Sequence, residues 1–276
     1  VLEAMRRKTV RADVIHYNCV LTGCRRSGSW LEGLQLLCRL RALPLAEQPL
    51  SRRLAISAAA RGEYWQWAAT LLREMPAATL RADVQSYTAA IGSSGSWPWA
   101  LELVCSAVKA EVLPDVVCFS ALISSCEKGG HWRLALYVLT WMEMSRISPD
   151  RICFNAAISA CDNGSEWEHA LHLLSYMQLA RLQANDIGHN AAISACSRAR
   201  RWQRALALLP WMAQDSVHAT RISFNSAIES CEMQWKVTVD LLAAMQRADI
   251  VPDDMSHGRA LASLARGAQG WALALS

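Results

Sequence analysis

The chain repeats itself at intervals of 35 residues, and this period limits its possible folds more than any other feature. The pentapeptide FNAAI at 154–158 recurs as HNAAI at 189–193, and FSALI stands one interval earlier, at 119–123. A fixed period of about 20 to 50 residues indicates an array in which each repeat packs on its neighbours. We therefore expect a repeat array.

Two sets of residues mark this period independently of each other. Their spacing places complete units at 14–48, 49–83, 84–115, 116–150, 151–185, 186–220 and 221–253, with partial units at 1–13 and 254–276. We expect one continuous array over 1–276 that is a piece of a longer one. The first set is tryptophan: Trp30, Trp65, Trp97, Trp132, Trp167, Trp202, Trp235 and Trp271. The second set is mostly aromatic: Tyr17, Arg52, Tyr87, Phe119, Phe154, His189 and Phe224.

Each unit has the pattern of two helices joined by a turn. In unit 151–185, apolar residues follow a helical spacing twice, on either side of the polar segment DNGS at 162–165. Ser165 and Glu168 have the spacing of a capping box that would begin the second helix. Pro-Asp dipeptides close the units at 114–115, 149–150 and 252–253, where proline stops a helix. The pattern predicts an all-α fold of helix-turn-helix hairpins.

Composition narrows the possible classes of protein. The chain is 53% hydrophobic and 19% charged, which is typical of folded proteins. No apolar run approaches the ~18 residues of a membrane span. Cys126, Cys161, Cys196 and Cys231 are spaced by one period, and no Cys-x-x-Cys pair occurs, so we interpret them as packed thiols in a reducing compartment. We expect no metal site, and the net charge of +4 permits a polyanionic partner.

The units resemble the pentatricopeptide repeat. That family's unit has the same length, with Val-x-x-Tyr-Asn near its start, Ala-Leu-x-Leu-x-x-x-Met in its second helix and Pro-Asp at its end. Here the chain reads VIHYN at 14–18, ISFNSAI at 222–228 and ALHLLSYM at 170–177. The resemblance covers essentially the whole chain and is to arrays from photosynthetic eukaryotes. It implies a right-handed α-solenoid, a superhelix of stacked hairpins of about 35 residues.

The resemblance also implies sequence-preferring binding of single-stranded RNA, with one base read per repeat. Three positions of each unit would make the contacts. The recognition residue directly follows the aromatic marker, the terminal residue ends the unit, and the sandwich residue stands two positions before the marker and packs against the base.

These three positions are filled mostly by the residue types that such contacts need, short polar groups for base edges and aliphatic groups for base faces. The recognition residues are Asn18, Arg53, Thr88, Ser120, Asn155, Asn190 and Asn225. The terminal residues are Gln48, Asp83, Asp115, Asp150, Asn185, Thr220 and Asp253. The sandwich residues are Ile15, Leu50, Gln85, Val117, Ile152, Ile187 and Ile222.

The family's pairing preferences give a candidate RNA sequence. Applied to the last five complete units, they imply 5′-GGYCU-3′, with the N-terminus of the protein at the 5′ end of the RNA. The pairs are Thr88 with Asp115 for G, Ser120 with Asp150 for G, Asn155 with Asn185 for a pyrimidine, Asn190 with Thr220 for C, and Asn225 with Asp253 for U.

Two units depart from the family pattern. Arg53 stands where a short polar residue is expected, and we assign it no base, although it could contact phosphate. Gln85 is polar where an aliphatic residue is expected. Asn18 and Gln48 form a pair to which we assign no base.

Each of these positions also has a purely structural interpretation. Asparagine near a helix start, as at 155, 190 and 225, often satisfies free backbone amides, and the terminal residues could cap the following helix. The tryptophan row and the methionines are interpreted as core rather than as a stacking platform. His189 is interpreted as a packing substitute for an aromatic ring.

The predicted function is RNA binding without catalysis, in processing, stability or translation of organelle transcripts. A protein-binding scaffold is the alternative, because helical solenoids commonly bind proteins. We expect no cofactor, no small-molecule substrate and no membrane. The expected partners are single-stranded RNA and other RNA-processing proteins. By resemblance, the chloroplast is favoured over the mitochondrion.

Overall fold

The computed structural model describes residues 13–42, 48–61, 64–75, 82–93 and 96–274, and it describes side-chain surroundings as far as residue 265, apart from those of 61 and 93. All but the last residue of the predicted partial unit 1–13 therefore lies outside the described residues. The last two residues of partial unit 254–276 lie outside them as well.

Within these ranges the chain forms fifteen α-helices and no strands, which confirms the all-α hairpin fold. Seven pairs of helices alternate along the chain, followed by a single helix. The first helices are α1 Val14–Ser27, α3 Pro49–Arg61, α5 Val84–Ser93, α7 Val116–Lys128, α9 Arg151–Asn163, α11 Asp186–Arg198, α13 Arg221–Ser230 and α15 Asp254–Ala274. The second helices are α2 Trp30–Ala42, α4 Trp65–Glu74, α6 Trp97–Lys109, α8 Trp132–Met144, α10 Trp167–Leu179, α12 Trp202–Gln214 and α14 Trp235–Arg247.

The helices group into two compact bodies. The N-terminal body comprises residues 1–129 with 145–147, and the C-terminal body comprises residues 130–144 with 148–276. In the N-terminal body, α1, α3, α5 and α7 pack in succession, and α2, α4 and α6 pack against them. In the C-terminal body, α9, α11 and α13 pack in succession and α13 contacts α15, while α8, α10, α12 and α14 lie beside these helices. Within each body, each first helix therefore follows the previous first helix in space.

The residues that recur in sequence fill the core. All seven members of the mostly aromatic set are buried, and His189 is fully buried against the edge of the Trp211 ring. Cys126, Cys161, Cys196 and Cys231 are fully buried too, which confirms their packing role. His189 fills the aromatic position, and its ring nitrogens also lie 3.0 Å from Asn185 O and 3.1 Å from Asp215 Oδ2, so polar contacts hold it as well as packing. Fully buried methionines close the second helices: Met75, Met142, Met177, Met212 and Met245.

The tryptophans that open the second helices are only half-buried, so their interpretation as core is wrong in part. Four of them, Trp30, Trp65, Trp132 and Trp167, pack against the next unit at the rim of the core. The Trp30 ring lies 4.1 Å from the Tyr64 ring, and the Trp132 ring lies 5.0 Å from the His169 ring. A Cβ atom at Gly164 would stand 2.3 Å from Cδ1 of Trp132, so a side chain there would displace the indole.

The capping box predicted at Ser165 does not form. Ser165 has a φ of 58°, in the left-handed region, and its N–H donates to Asp162 O at 2.9 Å. The helix instead begins after Glu166, whose side chain makes no cap bond. Ser165 therefore belongs to the turn that ends α9. The tryptophan at 271 lies within the continuous helix α15, so it opens no second helix.

Candidate nucleic-acid interface

In six of the seven complete units, the terminal residue caps the first helix of the next unit. Oδ1 of Asp115 accepts from Cys118 N at 2.8 Å, and Oδ1 of Asp253 accepts from Ser256 N at 2.9 Å. The same bond recurs at Asp83, Asp150, Asn185 and Thr220. Capping occupies one oxygen of each carboxylate, which leaves the second oxygen of Asp115, Asp150 and Asp253 for a ligand, whereas that of Asp83 accepts from Arg53.

The recognition asparagines do not serve as caps. Asn18, Asn190 and Asn225 are half-buried, and Asn155 is buried with 9% of its surface exposed. Each lies about one helical turn beyond the cap. The side chains of Asn18, Asn190 and Asn225 bond to the following unit, whereas that of Asn155 bonds to Asn185 of its own unit. The structural interpretation of these asparagines as caps is therefore wrong, whereas that of the terminal residues is correct.

Two of the predicted pairs are in direct contact. Asn155 Nδ2 donates to Asn185 Oδ1 at 2.9 Å, and Asn225 Nδ2 donates to Asp253 Oδ1 at 3.3 Å. In both pairs the amide nitrogen faces the terminal residue. Each pair therefore forms one hydrogen-bonding edge beside the helix start.

The remaining predicted pairs are not directly bonded. No hydrogen bond among the described residues joins Thr88 to Asp115 or Asn190 to Thr220. Thr88 Oγ1 donates to Val84 O at 2.8 Å and lies 2.8 Å from Cys118 Sγ. Asn18 and Gln48 are likewise unconnected within the described ranges, since the Asn18 side chain bonds to Ser51. Ser120 lies in the N-terminal body and donates to Val117 O at 3.0 Å, whereas Asp150 caps α9 in the C-terminal body.

The sandwich residues are exposed although their neighbours on the same helices are buried. Ile15 is 70% exposed, Ile152 60%, Ile187 56% and Ile222 64%. Val117 follows at 57%. An aliphatic side chain therefore projects into solvent at the second residue of these first helices.

Met255 extends this series, and the sequence analysis missed it. It is the second residue of α15 and is 57% exposed. Its unit is partial, so its role was not assigned, but the position in the period could have revealed it.

A low pKa keeps Asp253 ionised. The Ser256 backbone N–H, followed by the Ser256 hydroxyl, lowers the pKa of Asp253 to about 2. Contacts with Asn225 and the Arg221 guanidinium act in the same direction. The carboxylate is therefore acceptor-only at neutral pH, and it accepts from the Asn225 amide.

The recognition residue of unit 49–83, Arg53, already forms two side-chain hydrogen bonds within the chain. Arg53 Nη1 donates to Asp83 Oδ2 at 3.0 Å and to Gln85 Oε1 at 2.7 Å. Burial alone would raise the pKa of Asp83, but the Ser86 hydroxyl and amide together with Arg53 outweigh it and lower the pKa. Arg53 thus binds two residues of its own chain at the place where a base would be read.

The described residues contain neither a metal-binding cluster nor a membrane-spanning helix. Among the described residues, no group of histidine, cysteine and acidic side chains could hold a metal ion. His169 instead lies 3.8 Å from Glu166 and stacks on Trp132. No helix in the described part of the chain has both the length and the apolar character to span a membrane.

Two parts of the sequence match family profiles of one repeat type. Residues 102–163 match the profile described as "Pentatricopeptide repeat domain", and residues 15–43 match the one described as "PPR repeat". Among curated proteins, no significant match to the sequence was found.

Several solved structures have a similar fold. The pentatricopeptide repeat protein PPR10 from maize has a TM-score of 0.63 at 17% identity, covering 96% of this chain and 49% of that chain. PPR10 in complex with an 18-nt psaJ RNA element has a TM-score of 0.55 at 16% identity, covering 96% and 44%. The PPR domain of Arabidopsis thaliana protein-only RNase P 1, in complex with tRNA, has a TM-score of 0.58 at 13% identity, covering 66% and 97%. The chain thus spans about half the length of PPR10, and at these identities the likeness establishes the fold.

Proposed function

The chain is built of pentatricopeptide repeats, and from this premise we propose that it binds single-stranded RNA with a preference for sequence, one base per repeat. The first helices carry the contact residues at their N-terminal ends. The second helices support them from behind with the buried methionines and half-buried tryptophans.

The exposed sandwich residues carry the proposal. An isoleucine that is 56 to 70% exposed, repeated at one position of successive units, leaves apolar area in water without a structural need. A base that lies between two such side chains would contact one of them with each face, and this contact would remove apolar surface of the base and of both side chains from water. Each Å² of apolar surface so buried contributes about 25 cal/mol. One aliphatic group per unit matches one base per unit.

The polar pairs beside these aliphatic groups supply a means of discrimination. At Asn225 and Asp253, an amide donor stands next to an ionised acceptor. Uracil presents carbonyl oxygens on either side of an N–H group, so it complements a donor beside an acceptor. This complementarity supports the assignment of U to unit 221–253.

The proposed core of the RNA is 5′-GGYCU-3′. Thr88 with Asp115 and Ser120 with Asp150 are assigned to the two guanines, and Asn155 with Asn185, Asn190 with Thr220 and Asn225 with Asp253 to the pyrimidines. The RNA complexes of PPR10 and of the PPR domain of RNase P 1 support RNA as the class of ligand. They carry no information on the base sequence preferred here.

We further propose that the protein acts on organelle transcripts, in the chloroplast in the first instance, by covering RNA or remodelling its structure. The named relatives come from maize and Arabidopsis thaliana, which are plants. A similar array also occurs in a protein named as an RNase, so the proposed contribution of the array itself is binding and not cleavage.

Fluorescence anisotropy with short labelled RNAs tests the proposal. An RNA with GGUCU between adenosine flanks should bind at least about tenfold more tightly than the same bases in scrambled order. Its affinity should fall steeply as salt rises, because phosphate contacts release counterions. Equal binding of both RNAs, or binding indifferent to salt, would contradict the proposal and favour a protein-binding scaffold.

A single substitution sharpens this test. Asn225→Thr creates a Thr–Asp pair like that of Thr88 and Asp115, so the preferred base at the last position should change from U to G. The reciprocal variant, Thr88→Asn, should change the first position from G to U. A variant that loses affinity for all RNAs equally would argue against base reading at that unit.

A further inference from the structure

We propose that a serine at the third residue of a first helix positions the recognition asparagine of the preceding unit, and thereby sets how sharply that unit discriminates bases. The inference rests on the RNA binding proposed above. It assigns a role to a position that makes no contact with a base itself.

The same hydrogen bond joins consecutive units at three places. Ser51 Oγ donates to Asn18 Oδ1 at 2.7 Å, at the third residue of α3. Ser223 Oγ donates to Asn190 Oδ1 at 2.5 Å, at the third residue of α13. Ser256 Oγ donates to Asn225 Oδ1 at 2.5 Å, at the third residue of α15. A serine of the following unit therefore holds the amide oxygen of the recognition residue in each case.

The other contacts of two of these serines agree with this direction. The backbone N–H of Thr220 donates to Ser223 Oγ at 3.0 Å, and that of Asp253 donates to Ser256 Oγ at 3.3 Å. Each of these two hydroxyls accepts one bond and has a single proton to donate. The Ser256 proton is shared between Asn225 Oδ1 at 2.5 Å and Asp253 Oδ1 at 2.8 Å. At Asn225, the ionised Asp253 also requires the amide nitrogen on its side. The serine bond thus turns the oxygen inward and leaves N–H groups to face a ligand.

Unit 186–220 lacks this serine, and the recognition residue of the preceding unit, Asn155, differs accordingly. The third residue of α11 is Gly188, and no described residue donates to Asn155 Oδ1, which is buried. A Cβ atom at residue 188 would lie 2.6 Å from this oxygen. The amide oxygen of Asn155 therefore occupies the space that a serine side chain at residue 188 would fill. It is buried, whereas the serine-bound asparagines are half-buried.

The consequence for base reading depends on which atom faces the ligand. An outward NH₂ group donates to a carbonyl oxygen, which both pyrimidines carry and adenine does not. An outward oxygen would instead accept from the amino group of adenine. Holding the amide in one orientation thus favours pyrimidine over adenine. Since Asn190 has no other side-chain bond among the described residues, it depends on Ser223 alone, whereas Asn225 is also held by Asp253.

The test measures the ratio of the dissociation constants for RNAs with adenine and with a pyrimidine at one position. Ser223→Ala should lower this ratio at the fourth base of GGYCU by about five- to tenfold, the worth of one hydrogen bond. Ser256→Ala should lower it at the fifth base by a smaller factor, because Asp253 still orients Asn225. Ser230→Ala is the matched control, since its hydroxyl bonds only within its own unit, to Ala227 O and Cys231 Sγ.

A gain-of-function variant keeps the inference testable even if the serine variants fail to fold. Gly188→Ser should move Asn155 outward, supply a donor to its oxygen and raise the pyrimidine preference at the third base severalfold. Gly188→Ala adds the methyl group without the donor and should not. If the wild type discriminates but Ser223→Ala keeps the ratio within twofold, or Gly188→Ala matches Gly188→Ser, this inference alone is overturned. A wild type that prefers no base at these positions would overturn the proposed function and this inference together.

Discussion

Arg53 Nη1 lies 3.0 Å from Asp83 Oδ2, so the recognition and terminal residues of unit 49–83 are bonded to each other by an ion pair. A second bond, to Gln85 Oε1 at 2.7 Å, holds the same guanidinium across to the following unit. The three side chains are the recognition and terminal residues of this unit and the sandwich residue of the following unit. This unit is therefore expected to read no base, and the RNA should pass it without discrimination.

Replacing Arg53 by asparagine should create a base preference at this unit. Arg53→Asn produces an Asn–Asp pair like that of Asn225 and Asp253, and it removes the guanidinium that fills the space. We expect a preference for U of about fivefold at the nucleotide before the two guanines, the worth of about one hydrogen bond. Competition binding with RNAs that differ only at that nucleotide measures it.

Arg53→Ala is the control for this change. It also empties the space but supplies no amide, so it should leave all four bases nearly equivalent at that position. A U preference in Arg53→Ala as large as in Arg53→Asn would show that the space, and not the amide, controls the choice.

Ile222 and Ile228 lie on one helix, and substituting each in turn distinguishes an effect on RNA binding from an effect on stability. Ile222 is 64% exposed and Ile228 is 1% exposed. Ile222→Ala should weaken RNA binding severalfold while changing the free energy of unfolding by less than about 0.5 kcal/mol, as is usual at exposed sites. Ile228→Ala should lower that free energy by about 2–5 kcal/mol, because it leaves a cavity.

Urea unfolding and anisotropy on the same samples distinguish the two effects. If Ile222→Ala destabilises the fold as much as Ile228→Ala does, the exposed isoleucines serve packing, and the proposed contact with bases fails. Retention of full RNA affinity by a stable Ile222→Ala protein would count against it equally.

The fold could be predicted from the sequence because the residues that determine it recur at a fixed period. Phe154 and Cys161 return at the same place in unit after unit, and a helical hairpin is the element that buries such residues at this spacing. The turns were less predictable. Ser165 matches the capping-box pattern, but its backbone takes a left-handed φ of 58° and completes the preceding helix. A local pattern does not reveal which of two adjoining helices a turn residue will join.

The period predicts where the contact positions lie in the sequence, but not how their side chains are buried or bonded. The period locates Asn155 and Asn190 at one place in the unit, yet the first is buried and the second is half-buried. That difference arises from Gly188 and Ser223, each about one repeat further along the chain. The bonds of Arg53 likewise depend on residues 30 and 32 positions away. Contacts between repeats determine these details, and periodicity within one repeat does not contain them.

The ten cysteines should divide sharply in reactivity. Cys19, Cys38 and Cys105 are exposed, and the other seven are buried. Burial raises the pKa of Cys126 to about 11 and that of Cys161 to about 12. Since the thiolate is the reactive form, the buried thiols should be nearly inert at pH 8.

Ellman's reagent measures this division directly. We expect three equivalents to react quickly with the folded protein, and the remaining seven only after denaturation. Fast reaction of more than three would show that the hairpins open readily. A fully reduced control sample sets the total, and the variant Cys105→Ser should lower the fast phase to two.

Base reading by unit 221–253 should be insensitive to pH between about 5 and 8. The pKa of Asp253 is lowered to about 2, first by the Ser256 backbone N–H and then by its hydroxyl. A depressed pKa means that the ionised group stabilises the fold above its unfolded pKa of about 3.9, and that this contribution is lost as pH falls through about 2. Asp253 thus stays ionised over the whole working range. Carboxyl-carbon NMR should show a midpoint near 2, and Ser256→Ala should raise it while leaving the capping N–H in place. A midpoint near 4 in the wild type would mean that the carboxylate is not held by Ser256, and the preference for U should then decline below pH 5.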